Sequence, residues 1–95
     1  VDLNPLLVDR DELVFPLSAA VRPSVRLAEL GLEPGHTFSV LSACEGTCVS
    51  ETGVRYPLCE HNIEVFSGLG VSNVMESADA VVTCHSGALL VMVSR

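Results

Sequence analysis

The chain has 95 residues and a net charge of −7, which predict a single small domain and argue against binding to a nucleic-acid backbone. Hydrophobic residues make up 48% of the chain but aromatic residues only 4%, so the expected core is aliphatic and rich in valine. Valine packs well on a pleated surface, which favours strands. No apolar run reaches the ~20 residues of a membrane-spanning helix.

The first third of the chain predicts a polar lead-in followed by short strands. Residues 1–11 show no periodicity and are predicted to be a linker. Residues 12–17 predict a strand in which Pro16, having no N–H to donate, belongs at a sheet edge or a strand end. Residues 22–31 have two interpretations, a short helix capped by Gly31 or an alternating strand, of which we favour the strand.

The middle of the chain alternates between turns and strands. Pro34 and Gly35 predict a turn, because proline presets φ and glycine readily adopts a positive φ. Residues 37–43 alternate between apolar and polar side chains, which is typical of a half-buried strand. Residues 48–51 predict the next strand, which ends at a turn centred on Gly53.

The following part of the chain is more polar. Residues 59–62 predict a break between strands, and residues 63–66 form a short alternating run. Gly70 and the adjacent pair Ser72-Asn73 predict a loop-rich crossing, because glycine and asparagine tolerate turn conformations.

Two apolar runs at the C-terminus, residues 80–85 and 88–93, flank Ser86-Gly87 and predict a β-hairpin. Short strands separated by glycine turns are typical of all-β folds. The chain is therefore predicted to be all-β, a small β-sandwich or jelly-roll-like domain with antiparallel strands. A single domain over residues 1–95 accounts for the whole sequence.

The cysteines suggest one alternative function, a small Cys/His metal-binding domain. Its ligands would be Cys44, Cys48 and Cys59, together with either His61 or His85. However, Cys44-x3-Cys48 lacks the second close pair that is typical of zinc sites. We expect no metal site, and instead expect reduced cysteines, Cys84 among them, in a cytoplasmic protein.

Catalytic motifs are not found in the sequence. No nucleophile lies in a recognisable strand–turn–helix motif, and a phosphate-binding loop with its lysine is ruled out because the chain contains no lysine. No catalytic residue is therefore assigned.

The sequence contains side chains that suit ligand binding better than catalysis. Ser72 can donate and accept hydrogen bonds, Asn73 carries an amide donor and acceptor, and Tyr56 offers a flat face with a polar tip. These groups suit a heteroaromatic ligand, and the acidic charge of the chain is compatible with a cationic one. The alternative is structural: Gly70 to Asn73 as an ordinary turn and Tyr56 as a packing residue.

Three motifs in order resemble the C-terminal, thiamine-binding domain of thiamine pyrophosphokinases. They are Thr52-Gly53-Val54-Arg55-Tyr56-Pro57-Leu58, then Gly70-Val71-Ser72-Asn73, then a strand pair ending Ser86-Gly87-Ala88-Leu89-Leu90-Val91. The resemblance covers about residues 36–95. Val54 and Arg55 depart mildly from the family's commoner Leu and Lys.

The resemblance implies a β-sandwich with a thiamine site. Ser72 would hydrogen-bond the aminopyrimidine, Asn73 would brace the same loop, and Tyr56 would take the place of the family's aromatic residue near the ligand. Gly53 and Gly70 would let the backbone turn close to the ligand.

The resemblance also implies a parent enzyme, a thiamine diphosphokinase that transfers pyrophosphate from ATP to thiamine with Mg²⁺, giving thiamine diphosphate and AMP. Its ATP- and Mg²⁺-binding α/β domain would precede residues 1–11, so the 95-residue chain is expected to be inactive alone. The expected partners are thiamine and a second copy in a homodimer, with no nucleic acid and no membrane. A non-catalytic β-sandwich interaction module is the alternative.

Overall fold

The computed structural model describes residues 6–9, 12–63 and 71–94, and their strands form two antiparallel sheets. The strands are β1 (Leu6–Asp9), β2 (Glu12–Ser18), β3 (Ser24–Arg26), β4 (Thr37–Ser42), β5 (Thr47–Thr52), β6 (Leu58–Ile63), β7 (Val71–Val74), β8 (Val81–Ser86) and β9 (Ala88–Ser94). One sheet has the order β1-β2-β9-β4-β7 and the other the order β3-β8-β5-β6. The predicted all-β sandwich is confirmed.

The core lies between the two sheets and is aliphatic, as the composition predicts. Alternate residues of each strand point inward, so β4 buries Phe38 and Val40 while β9 buries Leu89, Val91 and Val93. The facing sheet contributes further valines and other small apolar side chains. Each fully buried side chain of this kind stabilises the fold by about 1.5–3 kcal/mol, which makes the inward alternation the main determinant of register.

Residues 22–31 combine both predicted interpretations. The strand β3 ends at Arg26, and a 3-10 helix, Leu27–Leu30, follows it directly. Gly31 ends this helix in a left-handed conformation with φ of 85°, as the capping interpretation required. No helix within the described ranges is long and apolar enough to cross a membrane.

The N-terminal part of the chain adds two strands to the larger sheet. Leu6–Asp9, within the predicted lead-in, pairs with β2 as strand β1. β2 lies between β1 and β9 but ends at Ser18, so Pro16 lies near a strand end, one of the two positions predicted for it. The described pairing with β1 stops at Val14, so among the described strands only β9 pairs with β2 at Pro16, through Leu90.

The predicted break at residues 59–62 is wrong, because these residues belong to strand β6. β6 is the last strand of the four-stranded sheet and most of its side chains are exposed, so its sequence is polar rather than alternating. A β-bulge opposite Ser50 further disturbs the alternation, and Glu60 there has a positive φ of 47°. Of the short run 63–66, only Ile63 lies within the described residues.

The predicted C-terminal hairpin is also wrong. β8 pairs with β3 and β5, whereas β9 pairs with β2 and β4, so Gly87 carries the chain from one sheet to the other. Gly87 has φ of 74°, and a Cβ there would lie 2.6 Å from Thr47 Oγ1 and 2.9 Å from Thr47 Cα. A glycine between two apolar runs is compatible with either a hairpin or such a corner, since both need a positive φ at one residue.

Candidate functional site

Two of the predicted motifs meet at the edge of the five-stranded sheet. After β5 the chain leaves the four-stranded sheet and runs alongside β7, where Val54 forms a bridge with Met75. The Arg55 N–H donates to the carbonyl of Val74 at 2.9 Å. The structure therefore places residues 53–57, which we call the β5–β6 crossing, next to Ser72 and Asn73. Gly70 lies outside the described residues.

Ser72 and Asn73 lie in strand β7, not in a loop or turn as predicted. Because successive residues of a strand point to opposite faces, their side chains diverge. Ser72 is exposed on the outer face of the sheet, and Asn73 is buried between the sheets. The two side chains therefore have different environments and cannot line one surface together.

The Asn73 side chain is fully engaged in hydrogen bonds. Its Oδ1 accepts from the backbone N–H of Tyr56 at 3.0 Å and from that of Val74 at 3.0 Å. Its Nδ2 donates to the carbonyl of Tyr56 at 2.8 Å and to Glu51 Oε1 at 2.8 Å. A primary amide offers two donors and two acceptor sites, so all of them are used. Asn73 has no hydrogen-bonding capacity left for a ligand.

Glu51 is the second buried polar residue here, and it belongs to none of the predicted site motifs. It lies on the inward face of β5, two residues beyond Val49, and is 0% exposed. Its Oε1 accepts from Asn73, while its Oε2 has no hydrogen-bond partner among the described residues. Burial raises the pKa of this carboxyl to about 7, and the Asn73 hydrogen bond opposes part of that shift. The inward register of β5 was the only sequence signal for this role.

Tyr56 is an accessible aromatic side chain. It is 61% exposed, which rules out the interpretation that it is an ordinary packing residue. Only its backbone is held tightly, through the two hydrogen bonds to Asn73. An exposed ring on an anchored backbone is a suitable platform for stacking.

Gly53 begins the crossing in a conformation and position that require glycine. It has φ of 71°, and a Cβ there would lie 2.8 Å from Ala80 Cα. Its carbonyl accepts from the N–H groups of Glu76 and Ser77, both at 2.9 Å. The sharp turn at Gly53 therefore directs the crossing onto β7, and the turn predicted at this residue is confirmed.

Ser72 keeps hydrogen-bonding capacity for a ligand. Its Oγ lies 3.2 Å from Ser39 Oγ on the neighbouring strand β4, and either hydroxyl can be the donor. A hydroxyl can donate one hydrogen bond and accept two, so one such contact leaves the others available. The exposed hydroxyl is therefore the polar group at this edge that can contact a ligand directly.

The metal-binding alternative is wrong for the residues that the structure describes. No three Cys, His, Asp or Glu side chains within the described ranges lie close enough together to hold an ion. Cys44, Cys48, Cys59 and Cys84 are all unpaired. The predicted ligands are thus separate side chains rather than a metal centre.

A serine–histidine contact lies on the outer face of the four-stranded sheet, away from Asn73. Ser50 Oγ is 2.7 Å from His85 Nε2 and accepts from the N–H of Glu60 at 2.9 Å. Within the described residues no hydrogen bond orients the other ring nitrogen of His85, so the pair lacks the third member of a catalytic triad.

Comparison with known proteins gives a consistent match. Residues 26–89 match the family described as thiamin pyrophosphokinase, vitamin B1 binding domain. The fold is similar to that of the thiamine pyrophosphokinase from Bacillus subtilis, with a TM-score of 0.69, 20% identity, and coverage of 92% of this chain and 39% of the other. The thiamin pyrophosphokinase from Geobacillus thermodenitrificans gives a TM-score of 0.67 and 21% identity, covering 93% of this chain and 39% of the other.

These structural matches establish a shared fold, and the family match identifies the type of domain. The chain spans 39% of the length of each matched structure. A comparison with curated protein sequences finds no match. The matched range includes β7 and the crossing at residues 53–57, which are the elements that meet at the candidate site.

The close approach at Gly53 predicts a specific sensitivity. Gly53→Ala should lower the free energy of unfolding by about 2–4 kcal/mol, because the new methyl group meets the Ala80 backbone and the residue must keep a positive φ. Gly46→Ala is the matched control, since Gly46 has φ of 77° but nothing within 4 Å of a Cβ. Urea unfolding should show a clearly larger loss for Gly53→Ala, and equal losses would contradict the steric argument.

Burial of Glu51 predicts a pH-dependent stability. Between pH 4.5 and about 7 the unfolded chain releases the Glu51 proton while the folded chain retains it, so stability falls as pH rises. The contribution is about 3 kcal/mol over this range. Urea unfolding from pH 5 to pH 8 should give a steeper loss for the wild type than for Glu51→Gln, which cannot ionise there. Parallel pH profiles would show that Glu51 titrates normally.

Proposed function

The chain belongs to the thiamin pyrophosphokinase, vitamin B1 binding domain family, and from this we propose that it binds thiamine where β7 meets the β5–β6 crossing. The proposal is supported by two features of adjacent segments: Ser72 on β7 keeps an exposed hydroxyl, and Tyr56 on the crossing has an exposed ring on an anchored backbone. One group provides hydrogen bonds and the other a flat apolar surface.

Each side chain has a distinct role in the proposed site. Ser72 hydrogen-bonds the aminopyrimidine edge, and the Tyr56 ring packs against the ligand. Asn73 acts indirectly, because its own amide is saturated by protein groups. Thiamine carries a positive charge, which suits both the aromatic face, for about 0.5–2 kcal/mol, and the net charge of −7.

The proposed reaction belongs to a longer parent enzyme, a thiamine diphosphokinase. That enzyme would transfer pyrophosphate from ATP to thiamine, giving thiamine diphosphate and AMP, and this chain would orient the acceptor. ATP and Mg²⁺ are assigned to the rest of the parent protein.

We further propose that the chain forms a homodimer through the outer face of the five-stranded sheet. The inward residues of β9 alternate with outward ones, so Leu90 and Met92 point away from the core. Leu41 on β4 lies opposite Leu90, and Val14 on β2 lies opposite Met92. Val14 itself is buried, so the partly exposed side chains of Leu41, Leu90 and Met92 form the apolar outer face.

Charge favours a second copy as the occupant of the apolar outer face. Two chains with a charge of −7 repel each other, so they associate most easily through a surface without charged side chains. Among the described side chains, Leu41, Leu90 and Met92 provide such a surface, and a two-fold axis would place the same apolar side chains of both copies in contact. Ser72 lies on this face next to Ser39, so the proposed thiamine site would border the dimer interface.

A cytoplasmic location is also proposed. Its support is that all four cysteines are unpaired, which is the usual state in a reducing compartment.

The proposed site predicts a loss of affinity on removal of the Ser72 hydroxyl. Ser72→Ala should weaken thiamine binding by about 1–3 kcal/mol, or roughly 5- to 150-fold, because a polar atom of the ligand loses its partner. Isothermal titration calorimetry measures the change. Ser24→Ala, at an exposed position of the other sheet, is the control and should bind as the wild type does. Unchanged affinity for Ser72→Ala removes this residue from the site.

Absence of thiamine binding by the wild-type chain would have a wider consequence. It would favour the non-catalytic β-sandwich interaction module instead.

The proposed dimer predicts a charge-sensitive interface. Leu90→Glu places two carboxylates in the apolar outer face of the dimer, so sedimentation equilibrium should show a monomer. Thr83→Glu is the control, because Thr83 lies on the outer face of the four-stranded sheet on the central strand β8. The control should remain dimeric. A monomeric wild type, or a dimeric Leu90→Glu variant, would contradict the proposed interface.

A further inference from the structure

We propose that Glu51 and Asn73 form a positioning pair that holds the Tyr56 backbone in place and thereby sets ligand affinity, although neither side chain contacts the ligand. The affinity part of this inference rests on the proposed thiamine site, whereas the positioning part concerns Tyr56 alone. The two parts are therefore tested by separate measurements.

The first step is the geometry between Asn73 and Tyr56. The Asn73 amide accepts from the Tyr56 N–H at 3.0 Å and donates to the Tyr56 carbonyl at 2.8 Å. A side chain thus satisfies both backbone groups of one residue, as a neighbouring strand would. Because the Tyr56 side chain is mostly exposed, this clamp is the main restraint on where the ring lies.

The second step is the orientation of the amide. Asn73 Oδ1 accepts from the N–H groups of Tyr56 and Val74. If the amide were rotated by 180°, Nδ2 would face these two donors and could not bond to them. In the observed orientation Nδ2 must find two acceptors in a buried site, and the Tyr56 carbonyl provides only one. Glu51 Oε1 provides the second at 2.8 Å. Glu51 therefore favours the amide orientation that clamps Tyr56.

Third, the surroundings of Glu51 are apolar, which makes its carboxyl the principal polar contact of Asn73 from the four-stranded sheet. The register neighbours of Glu51 are Val82 on β8 and Leu58 on β6, and Asn73 faces it from β7. None of these side chains is charged. A carboxyl buried in such a place with Oε2 unpartnered costs free energy that a leucine would not cost. We attribute the presence of this unfavourable buried carboxyl to the orientation that it imposes on the Asn73 amide.

The fourth step is that the pair joins the two sheets. Glu51 belongs to β5 of the four-stranded sheet, and Asn73 belongs to β7 at the end of the five-stranded sheet. The crossing that carries Tyr56 leaves the end of β5 and pairs alongside β7 before it enters β6. Tyr56 is therefore placed relative to both sheets, and also relative to Ser72 on β7.

The experiment uses the only tyrosine as its own probe. The chain has one tyrosine and no tryptophan, so its fluorescence reports Tyr56 alone. Glu51→Leu removes the acceptor, and should lower the steady-state anisotropy of Tyr56 and weaken thiamine binding by about tenfold. Glu51→Gln keeps an acceptor oxygen and should restore both values to those of the wild type. Both variants are compared at temperatures where circular dichroism shows them folded.

The outcomes separate positioning from ligand binding. Wild-type anisotropy in Glu51→Leu, or a Glu51→Gln variant that resembles Glu51→Leu, would overturn the positioning role. If the wild type does not bind thiamine but Tyr56 responds as expected, the proposed function fails and the positioning role stands.

If Glu51→Leu does not fold, hydrogen exchange of the wild-type chain provides the decisive test. The Tyr56 amide should exchange slowly although its side chain is exposed, and fast exchange would overturn the clamp.

Discussion

The buried contact between Asn73 and Glu51 is the interaction on which the architecture of the candidate site depends. It links the last strand of one sheet to an inner strand of the other, and it holds the backbone of the intervening crossing at Tyr56. Apolar packing brings the sheets together but is not directional, so it cannot specify where an exposed segment lies. A saturated amide has fixed donor and acceptor directions, and it can specify this position.

The same interaction explains why a conspicuous Ser-Asn pair serves two purposes. In a strand, neighbouring residues point to opposite faces, so Ser72 presents a hydroxyl to solvent while Asn73 supports the scaffold from within. A residue that binds the ligand and a residue that supports the scaffold can thus be adjacent in sequence. The edge position of β7 is also important, because the crossing can pair there with Val74 and Met75.

Charged side chains are likewise found in two environments, at the surface and between the sheets. The chain carries a net charge of −7, and its described ion pairs, such as Arg55 with Glu76, are exposed and therefore contribute little to stability. Unlike these exposed acidic residues, Glu51 has a buried carboxyl, and loss of solvent raises its pKa to about 7. Burial of the Glu51 carboxyl thus lowers stability but gives a defined polar geometry at one point.

The fold class, the aliphatic core and the turns at Gly35 and Gly53 were predictable from the sequence, because they depend on alternation and on local φ preferences. The order of three short motifs also sufficed to suggest the family. Two other features required knowledge of the strand pairing: Gly87 forms a corner between the sheets rather than a hairpin, and the polar residues 59–62 form an edge strand. Likewise, the role of Glu51 was decided by long-range pairing, since its partner Asn73 lies on another sheet and local sequence carries no information about that contact.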